Sequence, residues 1–403
     1  MLDTIPLVFV LAGLVFYTVL AGADFGAGVW QLLAPAGKRG AAIRDLAHHS
    51  MGPVWEANHV WLIFVLTVTW TAYPTFLGSV ASTLGMALFI AAIGIILRGA
   101  SYALRAGARE SEMRMLDSVL GVASLIAPFT LGAAAGGIAS GRVPVGNAAG
   151  GLFSSWLNPT SILTGVLAVT FSAYLAAVYL AADARRHGQP DLVAAFRRRA
   201  LGSGAAAGGL AIAGLYVLHG DARSLYHGLL SGAALAAVIV SVLGGLAIIA
   251  LVATQRFELA RYGVALPIAA VIAGWALARY PMLLPGLSVH RAAAPRDTLI
   301  CLIVAVLGGG ALLFPALALL FRLTLGGHLQ PGGGDALGPS PGTAGSLRPG
   351  LGARTAVALL IVGIGLLNGA DAPWAHAIGI VSLFGFMIVG FAAIVPSALT
   401  EDS

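Results

Sequence analysis

Of 403 residues, 59% are hydrophobic and only 9% charged; a water-facing surface needs roughly 25%, so a soluble domain is excluded and the chain is an integral membrane protein. Lys and Arg number 22 against 16 Asp and Glu, an excess that reads as loop topology and not as a nucleic-acid patch. The single cysteine, Cys301, excludes an intrachain disulfide and a thiolate metal site.

Apolar runs of about 20 residues are long enough to span a bilayer as helices. They lie near 5–30, 51–73, 76–104, 114–138, 160–183, 201–219, 229–253, 260–280, 298–323, 354–370 and 374–397. The start does not read as a cleaved signal, because no Lys or Arg precedes Lys38 and Asp3 is acidic. The small-residue step at 21–23 resembles a cleavage site only faintly.

The first run contains "YTVLAGADFGAGVW". Gly22 and Gly26 form a GxxxG pair and Gly28 lies one turn from Asp24, so a neighbouring helix can approach closely. Asp24 then faces a packed interior. An intramembrane acid is a functional candidate by default; the alternative is a structural aspartate that caps a broken helix or pairs with a loop arginine.

The second run opens "PVWEANHVW". Pro53 suits a first helical turn, and a helix N-terminus favours the anion of Glu56. Glu56 and His59 are three apart and share a face. Asn58 and Trp55 make a second, polar–aromatic edge. A carboxylate, an imidazole and an amide so grouped can relay protons, or Glu56 simply caps the helix at the interface.

The third run ends "ILRGASYALR". Arg98 lies two turns inside Arg105, where it either snorkels or pairs with Asp24 or Glu56. Further on, Asn158-Pro159 in "SSWLNPTSILTG" is a turn and helix-start signal. The proline-rich "ARYPMLLPGLSVHRAAAPRDT" reads as a structural loop. "GGHLQPGGGDALGPSPGTAGSLRPG" at 326–350 reads as an extended or structureless linker. The domain division is a transmembrane body at 1–325, the linker at 326–353 and a C-terminal helix pair at 354–403.

Basic residues concentrate in alternate loops: Lys38, Arg39 and Arg44; Arg105, Arg109 and Arg114; Arg185, Arg186 and Arg197 to Arg199; Arg256 and Arg261; Arg348 and Arg354. Positive loops stay in the cytoplasm, which puts the N-terminus outside and, after an odd number of crossings, the C-terminus inside. Arg291 and Arg296 are the exception. On this topology Asp24 and Glu56 lie at similar depth towards the cytoplasm.

Of nine histidines, only His59 lies well within a span, and a membrane haem needs a well-buried axial ligand. There is no Gly-rich phosphate loop, HExxH or CxxC. Redox chemistry, if any, belongs to a partner or a mobile carrier.

Taken in order, "GADFGAG", "PVWEANHVWL", "LRGASYALR", "SSWLNPTSILTG" and "RYPMLLPG" resemble subunit II of the cytochrome bd-type quinol oxidases, over roughly residues 1–323. The family patterns are approximately GFDxGxG and PxWDGNxxWL; here Glu56 stands for the usual Asp, Ala57 for Gly, and Ala23 for the aromatic. The resemblance implies an all-α polytopic helix bundle with a nine-helix body in a prokaryotic cytoplasmic membrane; the apolar runs add two C-terminal helices outside the pattern, about 11 spans in all. It implies a haem-free subunit packed against a haem-bearing subunit I, in a complex that oxidises quinol and reduces oxygen to water. Some members hold a quinone as a structural element, and a small accessory subunit can accompany such complexes. It maps the proton pathway onto Glu56, with Trp55 and Asn58 beside it, and the helix 1 and helix 3 charges onto Asp24 and Arg98; His59 joins these candidates from its shared face with Glu56, and the structural motif falls on Trp55, Gly22, Gly26, Gly28, Asn158 and Pro159. The alternative from another class is a stand-alone proton-coupled permease, which buried acids and Gly-rich spans also suit.

Overall fold

Long stretches without charge leave the backbone no partner in lipid except itself, so helices are the outcome. The structure, a computed structural model, describes residues 2–105, 110–325, 351–369 and 372–394. In chain order the elements are α1 (Ile5–Leu32), α2 (Lys38–Ala72), α3 (Pro74–Thr83), α4 (Gly85–Arg105), α5 (Glu110–Ala139), α6 (Pro159–Arg186), α7 (Pro190–Asp221), α8 (Arg223–Leu229), α9 (Gly232–Ala253), α10 (Phe257–Gly263) and α11 (Ala265–Arg279). A short hairpin of β1 (Met282–Leu284) and β2 (Leu287–Ser288) follows, then α12 (Val289–Ala292), α13 (Arg296–Leu325), α14 (Leu351–Gly369) and α15 (Pro373–Ile394).

Among the described residues, eight helical segments are long and apolar enough to cross a membrane, and shorter apolar stretches lie at Ala57–Ala72, Arg354–Gly363 and Trp374–Val389. The helices fall on the runs read from the sequence, with displaced ends. The helix expected from residue 51 begins at Lys38, after Gly37 with φ of 85°. Its added turns are amphipathic: Ile43, Leu46, Ala47 and Met51 recur at helical spacing and are buried. Likewise α7 starts at Pro190 and not near 201, burying Leu192, Ala195, Phe196 and Ala200. The 76–104 run is broken at Leu84 into α3 and α4.

The chain divides into two compact units, Met1–Arg322 and Leu323–Ser403. In the first, α6 is the central post. Every residue from Ser172 to Ala184 is buried, and most are alanine or another small residue. Small side chains let α1 come close: a Cβ at Gly26 would overlap the carbonyl of Ser172, and one at Gly22 would lie 2.6 Å from Leu175. Asn158 caps α6 by accepting a hydrogen bond from the Ser161 amide at 3.0 Å, and Pro159 occupies the first turn. Asp221, at the end of α7, pins that same end. It accepts from the Thr160 hydroxyl at 2.6 Å and amide at 3.1 Å, and pairs with Arg142.

The two ends of the bundle differ. At the basic end Arg261 pairs with Asp183 at 2.5 Å and Arg186 with Glu258 at 2.6 Å. At the other end the hairpin turns at Pro285-Gly286, with Leu284 opposite Leu287. Leu284, Leu287, Val289 and Ala292 pack with Tyr73, Val80, Leu84 and Trp156. Asp3 ties the start of α1 to this cap, its carbonyl accepting from Tyr73 at 2.6 Å and its carboxylate facing His290 Nδ1 at 2.6 Å. In the second unit α14 and α15 run antiparallel, since Gly363 faces Leu383 while Gly385 faces Leu359. The 326–350 linker read from the sequence lies outside the described residues.

Candidate functional site

Two opposite charges in apolar helices meet in the first unit. Asp24 on α1 and Arg98 on α4 are each 1% exposed and form an ion pair through Arg98 Nη2 and Asp24 Oδ1. The pair is built in from several sides. Arg98 Nη2 also donates to the Asp24 carbonyl at 3.1 Å, and Nη1 to the Ser124 hydroxyl on α5. Asn58 on α2 donates to Asp24 Oδ2 at 3.2 Å, and the Tyr102 hydroxyl to Oδ1 at 3.4 Å. The guanidinium carbon stands 5.2 Å from the Phe25 ring centroid, a cation–π contact. Gly28 provides the room, because a Cβ there would strike Ser124 and Arg98.

Burial of a lone charge in such a place costs several kcal/mol, and the cost is met only where partners satisfy both groups. Both oxygens of Asp24 accept hydrogen bonds. Among the described residues, Arg98 Nε and Trp55 Nε1 have no hydrogen-bond acceptor.

A tight crevice adjoins the pair, lined by Tyr17, Asp24, Phe25, Trp55, Asn58, His59, Ile95 and Arg98. His59 Nδ1 lies 2.7 Å from the Trp55 carbonyl. A carbonyl only accepts, so Nδ1 carries the hydrogen of that bond. Rings stack away from the crevice towards the start of α2: Trp55 on Tyr102 at 5.4 Å, and Tyr102 on His48 at 5.4 Å. Among the described residues no three His, Cys, Asp or Glu side chains cluster as metal ligands would.

The residues singled out in the sequence therefore divide. Asp24, Asn58, His59, Arg98 and Trp55 converge on one crevice, and Gly22, Gly26 and Gly28 permit the close approach behind it. Asn158 and Pro159 start α6 elsewhere. Glu56 has its backbone in α2, but its side chain lies outside the described residues. Sequence reasoning missed Tyr102, Ser124 and Tyr17. Tyr102 was legible, four residues after Arg98 and on its face. A serine such as Ser124 in an apolar helix carries no signal of its partner.

The family model for cytochrome bd terminal oxidase subunit II matches residues 2–324. The chain belongs to the cytochrome bd oxidase subunit II family. Subunit 2 of the cytochrome bd-I ubiquinol oxidase of Escherichia coli K12 is 28% identical over 222 residues, 51% of this chain and 55% of that protein. Subunit 2 of the cytochrome bd ubiquinol oxidase of Bacillus subtilis 168 is 27% identical over 136 residues, 31% of this chain and 37% of that one. The chain thus matches about half the length of the former relative and less of the latter. In three dimensions it resembles a chain of the bd oxidase from Geobacillus thermodenitrificans, with TM-score 0.64 and 24% identity, covering 80% of this chain and 98% of that one. This likeness shows the fold. As a member of the bd subunit II family the chain is a multi-pass membrane protein, and its crevice lies within the region the family model covers.

Proposed function

We propose that this chain is the haem-free subunit II of a bd-type quinol:oxygen oxidoreductase. It packs against a haem-bearing subunit I and helps deliver protons for the reduction of oxygen to water. The basic end faces the cytoplasm, the N-terminus lies outside and the C-terminus inside. The haems belong to subunit I, and no quinone is assigned to this chain.

The observation that carries the proton role is the crevice beside the Asp24–Arg98 pair. Oxygen reduction consumes protons, and a route for them needs groups that change protonation and groups that do not. Asp24 is of the second kind, because taking up a proton there means dismantling a buried ion pair. It is a fixed negative charge that favours a proton nearby. His59, with Nε2 free to exchange, and Glu56 three residues before it are of the first kind. Asn58 and the unused donors Trp55 Nε1 and Arg98 Nε orient what passes between them. The family match over 2–324 speaks against a stand-alone permease.

The test begins with the tagged chain, purified from native membranes in mild detergent. A reduced-minus-oxidised spectrum with haem bands, together with a second large membrane polypeptide, is expected. Glu56→Gln should then lower oxygen consumption at least tenfold while the haem bands remain, and His59→Phe should lower it less. Turnover at the normal rate in Glu56→Gln removes the proton role; a colourless single chain removes the oxidase assignment itself.

A further inference from the structure

Several cations at the basic end have a partner. Arg261 and Arg186 hold Asp183 and Glu258, Arg44 lies 3.9 Å from Asp117, and Arg197 donates to the Ala253 carbonyl at 2.6 Å. Arg199 on α7 is different. Its guanidinium carbon sits 5.1 Å from the ring centroid of Trp30 on α1 and 5.0 Å from that of Phe196. Ring faces attract a cation but offer no lone pair. Nη1 is shielded from solvent and donates no hydrogen bond, and among the described residues no anion pairs with Arg199. Instead Arg39 and Arg198, both exposed, add positive charge beside it. Three like charges thus converge with one of them half-buried, an arrangement that costs free energy unless an anion joins it.

The level of the cluster says which anion. Trp30 lies two residues from the end of α1, and its Nε1 donates to the Ala173 carbonyl at 2.7 Å. Tryptophans at such places sit at the headgroup depth of a bilayer. Beside it Leu33 is 61% exposed. Beyond Arg199, α7 turns Gly202, Ala205 and Ala206 outward, a shallow apolar strip along which a hydrocarbon chain can lie. The cationic cluster therefore stands where apolar surface gives way to charged loops, at the depth of lipid phosphates, and the cytoplasmic leaflet is anionic.

We propose that Arg39, Arg198 and Arg199, with Trp30, form a binding site for the phosphate of an anionic phospholipid. The guanidinium forks donate to phosphate oxygens, and an acyl chain follows the small residues of α7. The site is separate from the crevice and its test does not read oxygen turnover, so its failure leaves the proposed function standing.

The test uses the complex with its partner subunit, purified in mild detergent and stripped of loosely held lipid. Native mass spectrometry reads bound phospholipid, and thermal unfolding is followed with added phosphatidylglycerol, phosphatidylcholine or inorganic phosphate. Wild type should retain phosphatidylglycerol and gain several degrees from it alone. Arg199→Gln should bind about fivefold more weakly and Arg198→Gln with Arg199→Gln about 25-fold, near a factor of five per basic residue at a membrane surface; Arg199→Lys should fall between. If Arg199→Gln does not accumulate, Arg39→Gln with Arg198→Gln, both exposed positions, gives the same readout. Unchanged phosphatidylglycerol occupancy in the variants overturns the site. Equal stabilisation by inorganic phosphate moves it to a free anion and overturns the lipid. Loss of the partner subunit from Arg199→Gln at unchanged lipid occupancy gives the arginine to a partner carboxylate and overturns it as well.

Discussion

Arg98 joins three elements through one side chain, its guanidinium reaching from α4 to Asp24 on α1 and Ser124 on α5, while Asn58 on α2 completes the carboxylate. Removing one partner of a buried pair leaves the other charge uncompensated and costs about 3–5 kcal/mol. Arg98→Ala is therefore expected to lower the thermal midpoint of the complex sharply or prevent its accumulation. Asp24→Asn combined with Arg98→Gln, which leaves no net charge, should recover much of that loss. A single Arg98→Ala variant as stable as wild type would show the pair to be idle. The pairing was legible in outline, since a lone Asp and a lone Arg in apolar runs need one another, and the sequence left Asp24 or Glu56 as the acid. The structure pairs Arg98 with Asp24, the side chain reaching α1 from a helix that packs on α5. At the opposite end, the His290 hydrogen bond holds the Asp3 carboxyl down to about 2 from an ordinary 3.8. A depressed carboxyl contributes stability that is present above the unfolded value near 3.8 and is lost as pH falls through about 2. Hydrogen exchange in 281–292 should thus rise on acidification from pH 4 to pH 2, and His290→Ala should raise it already at pH 5; identical profiles for the two would rule out the clip.

At the scale of elements, hydropathy locates helices well and their ends poorly. The turns of α2 from Lys38 are amphipathic and stand outside the apolar run, so a window that seeks lipid-fit residues begins only at 51. The break at Leu84 was hidden for the opposite reason, because both sides of it are apolar. Just before it the 141–150 loop docks on α3, with the Gly146 amide donating to Ser79 at 3.0 Å and the Ala148 amide to Ser82 at 2.9 Å. Those serines have no meaning until the loop arrives. The GxxxG reading of α1 did identify a close approach, but not that α6 is the neighbour. Lipid tails give helices no hydrophobic drive to associate, so the fit between α1 and α6 carries much of their affinity. Gly26→Ala would push α1 off the Ser172 carbonyl and displace Asp24 two residues away. It should cut assembled complex several-fold, measured as haem retained per tagged chain. Gly245→Ala on α9, where a Cβ meets nothing within 4 Å, is the matched control; it should assemble normally and gain up to about 1 kcal/mol of helix propensity. Equal yields from the two variants would mean that α1 can shift without consequence.

For the whole molecule, the question is whether the C-terminal helix pair belongs to the working body. The family model ends at residue 324, and the Geobacillus chain is 98% covered by 80% of this one. The first unit ends at Arg322, within two residues of that limit. The pair has contacts of its own, Gly363 on Leu383 and Gly385 on Leu359, so its two helices can associate in the membrane without borrowing a face from the body. The crevice, the Asp24–Arg98 pair and the cation cluster around Arg199 draw every residue from before 260. A chain ending at Leu325 should therefore insert, recruit the haem-bearing partner and consume oxygen within about twofold of the full chain, since no group proposed to handle protons is lost. The comparison is made on both chains expressed with the same partner, reading haem per complex and turnover together. If haem is lost along with turnover, the pair is part of the scaffold that holds the partner subunit. If haem stays and turnover falls, a residue beyond 325 acts in the reaction and the proton route through α2 is incomplete.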